Sequence, residues 1–264
     1  MGNDDLVVSE RERELESRLQ QAQDQLNQLQ ESNRAIWRLL VQLGNRLQRS
    51  STSIKTAVSS LLDYDIFWDE TTQYEFLQAT DNSADELADL IILMTLAFRS
   101  QAKTLEIETE PNAIQEILIT LRDNIAKNSH SNPLTIEYPL DGNPILVDYQ
   151  YLVLALNLLI EVVVSENKSV AQLSIKAIEA DELWYLQITG LNADIITIIR
   201  HFLEYSHDIT AVAQRIRPEN ALKLITGSRI LYLQNIKLCP QELVEPTATL
   251  CFSVPAVTNR MIIE

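Results

Sequence analysis

Glycine is scarce. The chain of 264 residues carries five, Gly2, Gly44, Gly142, Gly190 and Gly227, and no two share a short loop. A loop that cradles phosphates needs several glycines close together, because its backbone must approach the ligand through dihedrals a β-carbon disfavours. A P-loop and a Gly-x-Gly-x-x-Gly dinucleotide turn are therefore excluded. Cysteine is rarer still: Cys239 and Cys251 give no metal spacing and no disulfide framework, and read as buried thiols in a reducing compartment. Positive charge is also short. Lys plus Arg is 21 against 37 Asp plus Glu, a formal net charge of −16. Such a chain repels a phosphate backbone and an anionic lipid surface, so neither nucleic acid nor a membrane is an expected partner. No run of about 18 apolar residues is evident, so no membrane insertion is expected. Met1 to Asp5 lacks the basic and apolar regions of a secretion signal, and the expected location is cytoplasmic.

What the chain does have is leucine at heptad spacing. Leu15, Leu19, Ala22, Leu26, Leu29, Asn33, Ile36, Leu40, Leu43 and Leu47 alternate steps of four and three, and Ser50, Ile54, Ala57 and Leu61 continue the register. Polar residues fill the intervals, so the pattern predicts a coiled-coil seam on one helix covering most of residues 9–62. Asn33 at a seam position reads either as a buried register-setting amide or as a solvated side chain. A second helix is expected from Asp69 to Ser100, with a stripe of Tyr74, Leu77, Ala84, Leu87, Ile91, Met94 and Phe98. The short joint from Asp63 to Trp68 makes the pair an antiparallel hairpin. Two such hairpins would bury their stripes as a four-helix bundle, so homodimerisation is expected. The aromatic joint residues Tyr64, Phe67 and Trp68 suit either a cap on the bundle core or a docking tip.

From Ile107 the rhythm changes. Helices are expected at 112–128, 149–164, 194–205 and 218–233, and strands at 134–138, 172–177, 183–189, 236–239 and 249–254. The pattern predicts a mixed sheet with helices on one face. The fold class is α+β: a long N-terminal coiled-coil helix, a helical hairpin, then an α/β sandwich. The expected divisions are 1–44 for the coiled coil, 45–105 for the hairpin and 106–264 for the sandwich.

This order resembles the sensor histidine kinases, and particular residues carry the resemblance. The family's first hairpin helix bears a run His-Glu-Leu-Arg-Thr-Pro-Leu-Thr-Ser-Ile. The matching run here is Asn45 to Ile54, with Leu47, Thr52, Ser53 and Ile54 in common. Leu87 to Arg99 resembles the end of the second helix. Val147-Asp148-Tyr149-Gln150-Tyr151-Leu152 resembles the lead-in to the nucleotide-binding helix, and Asn157-Leu158-Leu159 the opening of its Asn-Leu-Leu-x-Asn-Ala box. The resemblance spans most of the chain from residue 40 onward. It implies a dimeric hairpin followed by an ATPase-type sandwich of the histidine-kinase kind.

Against that pattern the departures are several and independent. The phosphoacceptor histidine falls on Asn45, whose carboxamide cannot be the nucleophile that imidazole is. His130, His201 and His207 all lie later in the chain. The acidic neighbour of the family's histidine is Arg46, and the residue four positions beyond the histidine is Arg49. The second Asn of the nucleotide box, which holds Mg²⁺ in the family, falls on Glu161, and the basic residue after it on Val164. The family's Asp-x-Gly-x-Gly loop aligns with Ile188-Thr189-Gly190-Leu191-Asn192, and Ile188 cannot accept the adenine amino hydrogen bond. The glycine turn after the lid aligns with Ala221-Leu222-Lys223, whose side chains crowd the phosphates. The resemblance thus implies the fold and opposes the activity: no cofactor is expected.

Two clusters remain. His201, Glu204, His207 and Asp208 hold helical spacings that suit a metal, but they also suit solvated polar faces, and no metal is expected. Arg46, Arg49 and Lys55 form a basic cluster on the first helix that reads as a solvated face or as a docking patch for the acidic pocket of a response-regulator receiver domain. No nucleophile elbow is present. The resulting expectation is a catalytically inactive, histidine-kinase-like signal-transduction protein that binds a response regulator or a related kinase. The alternatives are a divergent active sensor histidine kinase or phosphotransferase, and a structural coiled-coil adaptor.

Overall fold

The computed structural model describes the backbone of residues 3–62, 69–128, 134–139, 141–166, 173–180, 182–191, 193–204, 215–241 and 248–257. The expected aromatic joint, Asn192, His130, His207 and Asp208 lie outside the described residues, as do the side chains of His201 and Glu204.

The first two elements are long helices. Helix α1 runs Asn3–Leu62 and α2 runs Glu70–Gln101. No proline interrupts α1. A β-carbon on Gly44 would meet nothing within 4 Å, so the glycine marks no close approach there. Asp69 starts α2: its carboxylate accepts the Thr72 amide at 2.7 Å, satisfying one of the orphan donors of the first turn. The helix ends at Ala102, and Lys103 takes a left-handed turn at φ 54° that stops propagation.

The rest is a two-layer sandwich. In order come β1 (Glu110–Asn112), α3 (Ile114–Asn128), β2 (Leu134–Glu137), β3 (Ile145–Val147), α4 (Tyr149–Glu166), β4 (Leu173–Ala180), β5 (Leu183–Leu191), α5 (Ala193–Glu204), α6 (Pro218–Leu233), β6 (Lys237–Gln241) and β7 (Ala248–Pro255). Five strands form one sheet in the order β2-β4-β5-β7-β6. Among the described strands of this sheet only the β2–β4 pairing is parallel. Alternation orients the sheet: Leu173, Ile175 and Ala177 of β4 and Trp184, Leu186 and Ile188 of β5 face the core. Helices α3, α4, α5 and α6 contribute their apolar faces to that same core.

Two local features shape the sandwich. Asp148 caps α4, accepting the Tyr151 amide at 3.1 Å and the Glu108 amide at 3.1 Å. Gly227 lets α6 lie tight on α4, since a β-carbon there would meet Leu159 at 3.0 Å and the Ala155 carbonyl at 3.1 Å.

The α+β architecture and the order of helices and strands match expectation. Three differences stand out. Strands β1 and β3 pair as a small separate antiparallel sheet that no periodicity announced, because three residues with Pro111 among them are too short to alternate. Helix α2 has two apolar faces rather than one. Leu90 and Leu93 are buried inside the chain, while Tyr74, Leu77, Ile91 and Phe98 of the expected stripe stay exposed. Finally, α4 is long and apolar enough to meet the length and composition of a membrane span, against the sequence expectation. Nine of its residues are buried, including Leu152, Leu156 and Leu159 in the sandwich core.

Candidate site at the hairpin–sandwich junction

The hairpin lies directly on the sandwich. Leu43 of α1 and Leu90 and Leu93 of α2 form a buried cluster with Leu158 of α4 and Leu222 of α6. Leu39 and Ala35, one and two turns earlier on α1, join the main sandwich core. Beside this cluster opens a cleft of about 490 Å³, walled by Asp89 from α2, Asn157 and Glu161 from α4, and Glu219, Asn220 and Lys223 from α6.

An ionic relay runs along the edge of the junction. Arg46 donates through Nε to Glu86 of α2 at 2.7 Å and through Nη1 to Glu219 of α6. Glu219 also receives the Lys223 ammonium at 2.8 Å, one helical turn on, and that ammonium reaches Glu161 of α4 at 2.9 Å. The Ser50 hydroxyl donates to the second Glu86 oxygen at 3.3 Å. Burial works to lower the Arg46 and Lys223 pKa values, but the facing carboxylates outweigh it and both lie above their ordinary values. Burial pushes the Glu219 carboxyl up, and the Lys223 and Arg46 cations more than reverse this, holding it below the usual carboxylate range.

Magnitudes assign the roles. The relay side chains are 19–41% exposed, so each pair is worth about 0–1 kcal/mol. A fully buried leucine contributes about 1.5–3 kcal/mol. The leucines therefore supply most of the adhesion, and the ions set the alignment.

The residues singled out in the sequence fall into two groups. Asn157, Glu161 and Lys223 come together on the cleft walls, with Ala221 fully buried beside Lys223 on α6. Ile188 is instead buried in the sandwich core, and Gly190 sits on β5 at φ 84° beside a register shift. Neither lines the cleft. Of the basic cluster, Arg46 is committed to the relay. Arg49 is exposed, its Nε donating to the Asn45 carbonyl at 3.4 Å, and Lys55 is exposed. Asn45 is exposed on α1. Among the described residues no three or more His, Cys, Asp or Glu side chains are grouped to hold a metal ion.

Sequence reasoning missed Glu86, Glu219, Asn220 and Arg217. Asn220 donates from Nδ2 to the Ser165 hydroxyl at 2.8 Å, and Arg217 from Nη2 to the Ser165 carbonyl at 3.2 Å, tying the start of α6 to the end of α4. The i, i+4 spacing of Glu219 and Lys223 was the one signal available. Nothing in the sequence pairs Arg46 with a residue 173 positions away.

Comparison of folds places this geometry. The Acinetobacter baumannii histidine kinase AdeS matches at a TM-score of 0.56 with 13% identity, covering 80% of this chain and 98% of that one. Full-length ShkA, solved in complex with AMPPNP, matches at 0.56 with 15% identity, covering 84% of this chain and 46% of ShkA. No protein-family model matches the chain, and no curated relative does. The chain has the fold of a sensor histidine kinase: a long helical hairpin followed by a histidine-kinase-type α/β sandwich.

Proposed function

We propose that this chain is a signal-transduction protein of the histidine-kinase type that acts through protein contacts and not by phosphoryl transfer. The observation that carries the reading is the state of the cleft. The Lys223 ammonium lies between the Glu161 and Glu219 carboxylates. By the family resemblance, Glu161 and Lys223 fall where the kinases hold Mg²⁺ and give the phosphates a glycine turn. A cation fixed by two carboxylates, with buried Ala221 beside it, does not fit a nucleotide's phosphates and metal. Buried, apolar Ile188 does not fit an adenine amino group. At the phosphoacceptor position, Asn45 supplies no nucleophile.

On this reading residues 1–44 form a coiled-coil input, 45–105 a dimerising hairpin and 106–264 a sandwich that no longer binds nucleotide. Since α1 is continuous through residue 44, that first division is one of role within a single helix. Homodimerisation is supported by the unpartnered apolar positions Leu15, Leu19, Leu26 and Leu29 on α1, and Tyr74, Leu77, Ile91 and Phe98 on α2. Exposed Arg49 and Lys55 would meet the acidic surface of a receiver domain or related kinase, whereas Arg46 is held in the relay.

The test is phosphorylation with labelled ATP and Mg²⁺, on the natural chain and on Asn45→His. Neither should incorporate phosphate, and ATP should not raise the melting temperature of either. Phosphate on the histidine variant would show a working nucleotide site and sink the reading. Phosphate on the natural chain would favour a divergent active kinase.

A further inference from the structure

The two cysteines of the chain sit directly opposite each other in the sheet. In the antiparallel β6–β7 pair Cys239 is the register partner of Cys251, flanked by the pairs Leu238–Phe252 and Pro240–Leu250. Directly opposed residues of an antiparallel pair share one face of the sheet. Their α-carbons stand about 4.5–5.5 Å apart, inside the roughly 4.4–6.8 Å that a disulfide spans. Leu250 and Phe252, on either side of Cys251, belong to the sandwich core. Alternation therefore puts Cys251 on the opposite face of β7, where it is 2% exposed. Across its other flank Cys251 is paired with Gln187 of β5. Among the described strands β6 is the last in the sheet order, and Pro240 within it has no amide to give to a ladder. A strand held on one side only and short of a donor opens at the least cost, and that opening gives a small reagent access to Cys251.

We propose that Cys239 and Cys251 form a reversible disulfide site, oxidised by thiol–disulfide exchange with a low-molecular-weight disulfide. One protein thiolate attacks a sulfur of that reagent, which makes a mixed disulfide and expels one reagent thiolate. The second protein thiolate then attacks the protein sulfur of the mixed disulfide, which forms the Cys239–Cys251 bond and expels the other reagent thiolate. The two protein thiols give up two electrons and two protons, and one reagent disulfide becomes two reagent thiols. Under reducing conditions the pair rests as thiols, and it closes when the supply of small disulfides rises. The bond pins the edge strand to β7 next to Pro240, where the backbone has one donor fewer. This inference requires neither dimerisation nor loss of phosphoryl transfer, so it stands or falls separately from the function proposed above.

The experiment equilibrates the full chain with mixtures of oxidised and reduced glutathione, quenches with acid, and reads thiols and adducts by mass spectrometry. The natural chain should lose both thiols with no glutathione attached and no second chain joined, and dithiothreitol should restore them. Its exchange constant should be about tenfold or more higher folded than in urea, because the sheet holds the two residues opposite while the unfolded chain must first close the loop between them. Amide hydrogen exchange within β6 should slow once the bond has formed. In Cys239→Ser and in Cys251→Ser the remaining thiol has no second thiol in the chain to resolve it, so oxidation should stop at a single glutathione adduct. If Cys251→Ser does not fold, Cys239→Ser on the edge strand supplies the same control. Thiols that persist in the folded natural chain, two glutathione adducts on it, or a cross-link between chains would overturn the site. So would an exchange constant equal in the folded and unfolded chain, or β6 amide exchange unaltered by oxidation.

Discussion

The two halves of α1 carry the same heptad arrangement of leucines and meet opposite surroundings. Leu15, Leu19, Leu26 and Leu29 are 55–66% exposed, whereas Leu39, Leu40 and Leu43 are 1–7% exposed. Both halves are equally regular helix, so the contrast does not come from local propensity. It comes from what lies alongside: the later half has α2, α4 and α6, and among the described residues the earlier half has no partner within its own chain. A heptad seam specifies that a face will be buried, without specifying by what. In this molecule one seam serves a contact inside the chain and, on our reading, a contact between chains.

The comparison can be broken most forcefully in the later half. Leu90→Ala opens a cavity where hairpin and sandwich meet and should cost about 2–5 kcal/mol in urea unfolding. A loss below 1 kcal/mol would mean that the cluster does not anchor the junction. The earlier half should respond in the opposite sense. Replacing Leu19 and Leu26 together by Asp should leave sandwich stability unchanged while weakening self-association by tenfold or more, since each buried leucine is worth about 1.5–3 kcal/mol. Sedimentation equilibrium measures this, and an unaltered association constant would remove the seam from the dimer.

Acid gives a gentler probe of the junction. The folded pKa of Glu219 lies below its unfolded value, so its stabilising contribution is present above the unfolded pKa and is lost as pH falls through the folded one. Lys223 works in the other direction. Its folded pKa is raised, so its contribution is complete below the unfolded value near 10 and is lost as pH rises through the folded value. The Glu219 and Lys223 contributions should therefore stay level from about pH 5 to about pH 10 and decline outside that range. A step near pH 6.5 in the stability difference between the natural chain and Glu219→Gln would point to a histidine instead. The smallest effect belongs to the α2 cap. Asp69→Ala should cost about 1 kcal/mol, confined to faster amide exchange in the first turn of α2.

Much of the fold was legible from residue spacing. Helix α6 begins at Pro218 and ends where expected, and α4 begins one residue after the cap at Asp148. The long helices were evident because each repeats one period over many turns. The short pair β1 and β3 was not, because three residues contain no period. The site was legible only in part. Asn157, Glu161 and Lys223 were picked from the family pattern and do meet at one cleft. The sequence places Arg46 in a basic cluster that suits a solvated face or a docking patch, whereas its partners in the fold lie 40 and 173 positions away.

By itself the sequence determined where the longer helices and strands would lie, which residues on them would seek burial, and that no histidine stands at position 45. Those properties follow from spacing and side-chain chemistry, which act within a few residues. The tertiary structure alone decided that the later part of α1 faces the sandwich, that α2 divides its apolar surface between two faces, and that Lys223 closes on Glu161 and Glu219. Charges and apolar patches carry no label for their partners, and the choice is made only when packing brings distant segments within a few ångströms.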